Sequence, residues 1–151
     1  MKIRYLVLLL SSIIILLNGC ILSISKPIIE EIIFCNATDG KAWITDSGGN
    51  IVLICEGKSS SYDISKISEV KIFYPKSKYL CEYDLSGLNS KVSPDKKLSG
   101  TCLWWHIHWI YKCTIAKDKS LEFRINESQV YKITPIKSSY KEIPPEGMTE
   151  K

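Results

Sequence analysis

The residues best equipped for chemistry lie together in Trp104-Trp105-His106-Ile107-His108-Trp109, just behind Cys102. In an extended strand side chains alternate faces, so Cys102, Trp104, His106 and His108 share one face. Leu103, Trp105, Ile107 and Trp109 share the other. A His-x-His pair beside a thiolate is a ligand set suited to copper or zinc. However, the chain has only these two histidines, and the segment carries no carboxylate. The expectation is therefore no metal and no cofactor, with Cys102 spent on a disulfide; Trp104 against a sugar is the segment's other weak option. Catalysis has still less support. No Gly-x-Ser-x-Gly occurs, Ser86-Gly87 has no base nearby, and Glu30 and Glu31 should point to opposite strand faces instead of forming an acid–base pair. No enzyme is expected.

The cysteines say more. Cys55 ends the apolar run Ile51-Val52-Leu53-Ile54, and Cys113 sits in Tyr111-Lys112-Cys113-Thr114-Ile115, two residues after a tyrosine. In an extracellular β-sandwich this combination pins two sheets through a buried disulfide. A Cys55–Cys113 bridge would close a loop of about 60 residues, worth roughly 4 kcal/mol by the chain-entropy account. With no C-x-x-C pair, neither a zinc ribbon nor a thioredoxin-like centre is indicated. Cys35 and Cys102 are assigned to the second bridge, leaving Cys81 as a free thiol or as the link in a disulfide-bonded homodimer. A Cys81–Cys102 pairing stays open.

Bridges require an oxidising compartment, and the first residues supply the route. Lys2 and Arg4 precede an apolar run from Tyr5 to Leu17, followed by small and polar residues, as in a signal peptide spanning residues 1–25. As a helix this run is about 20 Å long, short of the roughly 30 Å hydrocarbon core. An anchor extended to Ile24 is the longer alternative. Leu17-Asn18-Gly19-Cys20 resembles a bacterial lipobox, which implies a lipidated Cys20. Removing Lys2 and Arg4 lowers the formal charge from +4 to +2 and leaves Arg124 as the only arginine. Bidentate recognition of phosphate and guanine favours arginine, so nucleic acid is not an expected partner.

The elements that must position these residues read as β throughout. Strands are expected over Ile28–Cys35, Lys41–Asp46, Asn50–Glu56, Glu69–Tyr74, Lys78–Tyr83, Thr101–Ala116, Leu121–Ile125 and Val130–Ile136. Ser47-Gly48-Gly49 makes a hairpin turn. Ser59–Ser65 and Leu85–Leu98 read as loops, and residues 137–151 as a flexible polar tail. The fold class expected for residues 26–136 is an all-β, immunoglobulin-like antiparallel β-sandwich stapled by disulfides. The tryptophan usual on its third strand is missing, so Phe73 or Tyr74 must fill the space beside the bridge. Asn36-Ala37-Thr38 and Asn126-Glu127-Ser128 are glycosylation sequons.

Several segments together resemble the secreted interleukin-18-binding proteins, single immunoglobulin-like decoy domains of vertebrates and poxviruses. They are Cys35, Ile51–Cys55, Lys71-Ile72-Phe73-Tyr74, Tyr79-Leu80-Cys81-Glu82-Tyr83-Asp84-Leu85, Gly100-Thr101-Cys102-Leu103 and Tyr111-Lys112-Cys113. Pro75 stands where that family prefers tryptophan. The resemblance implies a secreted decoy that sequesters a cytokine, interleukin-18 first, and blocks receptor engagement. It implies contacts by Tyr74 and Tyr79, with Phe73 taking the place of Tyr74 if the register slips. The competing expectation is a bacterial envelope lipoprotein held to the membrane through Cys20.

Overall fold

The structure, a computed structural model, describes residues 29–65, 67–101 and 104–149, with side chains 99–106 excluded from the description. Among the described residues eleven strands form two sheets: β1 (Glu31–Asn36), β2 (Ala42–Asp46), β3 (Ile51–Ile54), β4 (Ser59–Asp63), β5 (Glu69–Tyr74), β6 (Tyr79–Asp84), β7 (Asp95–Thr101), β8 (Trp104–Ile115), β9 (Leu121–Arg124), β10 (Val130–Ile133) and β11 (Lys137–Tyr140). A one-turn helix, α1 (Leu88–Lys91), follows β6. The leader, Cys20 and Cys102 lie outside the described residues. No helix among the described residues is long and apolar enough to cross a membrane.

One sheet runs β10-β9-β8-β1-β4, with β7 also paired to β8; the other runs β11-β6-β5-β2-β3. β8 is long enough to serve two sets of neighbours. Residues 104–110 pair with β7, and residues 110–115 with β1. The pairing is antiparallel except between β1 and β8, where Glu31↔Ile110 through Asn36↔Ile115 run parallel. This departs from the all-antiparallel expectation. Parallel neighbours need a long crossover, and the chain between β1 and β8 holds most of the other sheet, which supplies it.

Period-2 patterning builds the core. Ile32 and Phe34 of β1, Tyr111, Cys113 and Ile115 of β8, and Leu121 and Phe123 of β9 face inward from the first sheet. Ala42, Ile44, Val70, Ile72, Tyr74, Cys81 and Tyr83 face inward from the second. Each large apolar side chain withdrawn from water contributes about 1.5–3 kcal/mol before ordering costs. Two tyrosines, Tyr62 and Tyr83, tie the layers through polar tips. Tyr62 of β4 accepts from the Asp46 amide at 3.0 Å and donates to the Asn50 carbonyl across the core. Burial, reinforced by the charge of Asp46, pushes its pKa up to about 12. The expected β2–β3 hairpin is present, with Gly49 at φ +80 where a side chain would be strained.

Three segments read as unstructured are strands. β4 falls in the serine-rich stretch, β7 in the polar stretch after Leu85, and β11 in the segment expected to be a flexible tail. β11 pairs with β6, and the chain beyond it continues as a strap. The Lys141 amide bonds to the Lys78 carbonyl at 2.8 Å, at one edge of the second sheet. Gly147 lies against Ile51 on the opposite edge strand, so closely that an added Cβ would stand 2.5 Å from Ile51 Cδ1. Ile51 shares a face with Thr45, Trp43 and Phe73, so the strap crosses the sheet's outer side. On that side Phe73 is only 1% exposed and Met148 only 3%.

Candidate functional site

The three aromatics proposed as ligand contacts part company in the structure. Tyr74 points into the core, as the missing tryptophan required, and its hydroxyl meets that of Tyr83 at 2.8 Å. Tyr83 in turn donates to the Lys119 carbonyl at 2.6 Å, which leaves its oxygen to accept from Tyr74. Burial pushes the pKa of both phenols up; the Tyr83 bond partly offsets this for Tyr74, and the charge of Tyr74 adds to it for Tyr83. Phe73 points the other way but is buried on the strapped face. Strand alternation sets the two on opposite faces, and neither is exposed. Only Tyr79 reaches solvent, at 39% exposure.

Tyr79 has a neighbour that the sequence did not reveal. It pairs across the sheet edge with Tyr140 of β11, their rings meeting edge to face at 6.1 Å. Tyr140 is 57% exposed, so the two rings form an aromatic ridge. The Tyr140 hydroxyl donates to Glu142 at 2.6 Å, and Lys78 Nζ bonds the other Glu142 oxygen at 2.7 Å. The hydrogen bonds from Lys78 and Tyr140 hold the Glu142 carboxyl below its usual range. Lys119 Nζ lies 5.1 Å from the Tyr79 ring centroid. Reading residues 137–151 as a tail concealed Tyr140, and the ridge with it.

Backbone geometry marks the same end of the molecule. Lys78 and Lys119 are the only non-glycine residues with positive φ among the described residues, at 55° and 63°. Left-handed backbone costs a lysine roughly 1–2 kcal/mol that a glycine would not incur. Both sit in turns closed by backbone bonds, Lys78 N to Pro75 O and Lys119 N to Ala116 O. Asp118 braces the second turn by accepting from the Ser120 amide and hydroxyl at 3.1 and 2.7 Å. Bonds from Lys132 first, then from Ser120, hold its carboxyl well below the usual range.

The cysteines do not form the expected staple. Cys35, Cys55, Cys81 and Cys113 are all free thiols in the structure. Cys55 lies just past the end of edge strand β3 and faces solvent, whereas Cys113 is buried between its strand partners Phe34 and Phe123. Burial pushes the Cys113 thiol well above its usual range. Cys35 is exposed, and its assigned partner Cys102 lies outside the described residues. Cys81, expected as a free thiol or as the link between two chains, is free and fully buried on β6 with Sγ 3.5 Å from Ser138 Oγ, so a second chain's sulfur has no path to it.

The two sequons also differ. Asn126 is exposed in a turn, its Oδ1 accepting from the Ser128 amide and hydroxyl. Asn36 repeats this turn with Thr38 but is 0% exposed, and its Nδ2 donates to the Gly40 and Ile54 carbonyls at 2.8 and 2.9 Å. With its amide nitrogen enclosed and fully used, Asn36 has no room for a glycan in the folded domain.

Of the His-x-His pair, the His106 side chain lies outside the description. His108 Nδ1 stands 3.0 Å from Glu30 Oε2, at an open cleft of about 580 Å³ also lined by Glu31, Ser61, Asp63 and Ser65. Glu30 and Glu31 both line this cleft, at the start of β1. Among the described residues no group of three or more histidine, cysteine or acidic side chains is placed to hold a metal ion. No protein family, curated protein or solved structure matches the chain.

Proposed function

We propose that this chain is a secreted, single-domain decoy that binds a protein ligand through the Tyr79–Tyr140 ridge, with interleukin-18 the cytokine to test first. The observation that carries this reading is the ridge itself. Two large, rigid, amphipathic rings stand in solvent at a sheet edge, held by cross-strand pairing and by Lys119, and residues of this type dominate binding hot spots. The two-sheet sandwich and the sequence resemblance support it; immunoglobulin-like topology belongs to the proposal. Phe73 and Tyr74, implied as contacts by the resemblance, are buried instead, Tyr74 paired with Tyr79 and Phe73 on the opposite face of the sheet.

Binding to immobilised interleukin-18, measured by surface plasmon resonance, tests the reading. Tyr79→Ala and Tyr140→Ala should each weaken it at least tenfold, the loss of about 1.4 kcal/mol expected where a hot-spot ring is removed. Full affinity in both variants would refute the site, and no binding by the parent protein would refute the ligand.

One observation favours the lipid-anchored envelope reading. An N-glycan added to Asn36 before folding would keep that amide from its buried place, a conflict that a route without N-glycosylation avoids. Intact mass decides between the two: a diacylglyceryl increment on Cys20 supports the anchor, and its absence from a chain that starts near residue 24 or 26 supports the decoy.

A further inference from the structure

Three loops meet beside the ridge, and the lysines they carry surround a cleft of about 240 Å³. Lys41 comes from the β1–β2 link, Lys76 from the β5–β6 turn, and Lys117 and Lys119 from the β8–β9 turn. Asp39 is the only carboxylate lining it among the described residues, 3.6 Å from Lys117 Nζ and 4.0 Å from Lys76 Nζ. Even without Lys41, the three cations Lys76, Lys117 and Lys119 outnumber Asp39 and leave a positive potential in the cleft, which its walls concentrate. Tyr74 also lines it, and Lys119 Nζ lies 5.9 Å from that ring and 5.1 Å from Tyr79, joining cleft to ridge. The remaining lining residues include Ser77, whose Oγ is buried without a hydrogen-bond partner among the described residues.

We propose that this cleft receives an acidic side chain, aspartate or glutamate, of the protein ligand, while an apolar neighbour of that residue rests on Tyr79 and Tyr140. The proposal deepens the reading above and rests on it. Three features favour an acidic peptide segment over a sulfated polysaccharide. The cations ring one pocket and do not run along a stripe, lysines suit a single carboxylate as compact point charges, and the adjoining surface offers aromatic faces for a side chain to pack against. The strained backbone at Lys119 gains a purpose too, because it places one cation over both rings.

Random-peptide display on the full mature chain tests this. Enriched peptides should pair Asp or Glu with an aromatic or aliphatic neighbour. A synthetic copy of the best one should lose at least tenfold in affinity when its acid becomes the amide. It should lose as much when the protein carries Lys117→Gln with Lys119→Gln, whose fold is checked by circular dichroism, and the amide twin should be indifferent to those changes. Failure to enrich any peptide, enrichment without acidic bias, or acidic peptides indifferent to the lysine changes would overturn the proposal. So would heparin binding that requires these lysines while no acidic peptide binds. If Tyr79→Ala abolishes peptide binding and the lysine changes do not, this inference falls and the ridge stands. If the lysine changes abolish it and Tyr79→Ala does not, the ridge reading falls and the cleft stands alone.

Discussion

Asn36→Ala should be among the most damaging single substitutions in this domain, although a sequence reader sees Asn36 as a surface sequon. The side chain makes four hydrogen bonds: two donated, to Gly40 O and Ile54 O, and two accepted from the Thr38 amide and hydroxyl. They bind the end of β1 to the β1–β2 link and to the last residue of β3, across the two sheets. At about 1 kcal/mol per bond the loss is roughly 3–4 kcal/mol, a large share of the 5–15 kcal/mol typical of a domain. With a urea slope of about 2 kcal/mol per M, the unfolding midpoint should fall by roughly 1.5–2 M. Asn126→Ala is the matched control, since it has the same local turn but is exposed, and it should cost under about 0.5 kcal/mol. Asn36→Asp adds a sign test. Its buried carboxylate would face two carbonyl oxygens, so its folded pKa must rise above the unfolded value of about 3.9. The native state then holds the extra proton, and stability falls as pH rises from the unfolded pKa to the folded one. The deficit should be complete above the folded pKa and smallest in acid. Equal midpoints for Asn36→Ala and Asn126→Ala in urea, followed by tryptophan fluorescence, would refute the reasoning.

Two further outcomes follow from the buried groups. In the reduced native protein at pH 8, iodoacetamide should label Cys35 and Cys55 quickly but reach Cys81 and Cys113 only in denaturant; early modification of Cys113 in a peptide map would show that the β8 inner face is not sealed. Tyr83→Phe should cost about 1–3 kcal/mol in a thermal or urea melt, because it strands the Lys119 carbonyl and the Tyr74 hydroxyl. An unchanged melt would mean that this shared hydroxyl does not link the sheets.

The strands legible in the sequence were those with an apolar inner face and turn chemistry at their ends. β2 and β3 flank Ser47-Gly48-Gly49, and β5 alternates Val70, Ile72 and Tyr74 inward. The strands missed are β4, β7 and β11, all of them edge strands. An edge strand has one partner and often carries lysine or serine that discourages further pairing, so its composition imitates a loop. Asp95-Lys96-Lys97 and Lys137-Ser138-Ser139 do so here. Period-2 patterning sets Phe73 and Tyr74 on opposite faces without saying which turns inward, and it could not reveal that Phe73 would be covered from the other side, because the cover comes from residues far along the chain. The spacing around Cys55 and Cys113 likewise described each strand, not the distance between them. The ridge needed β11 to be known before Tyr140 could be set beside Tyr79.

The parallel β1–β8 pairing also sets the order in which the domain can assemble. β1 has its partners in β4 and β8, and its contacts with β8 wait until residue 115 has appeared, whereas the β2–β3 and β5–β6 hairpins can close locally. Such contacts far apart in sequence make folding slow. A chain fed amino-terminus first through a translocation channel therefore lacks the middle of one sheet until most of it has passed. On the proposed secretory route it would cross the membrane as an unlocked thread and close its core on the far side.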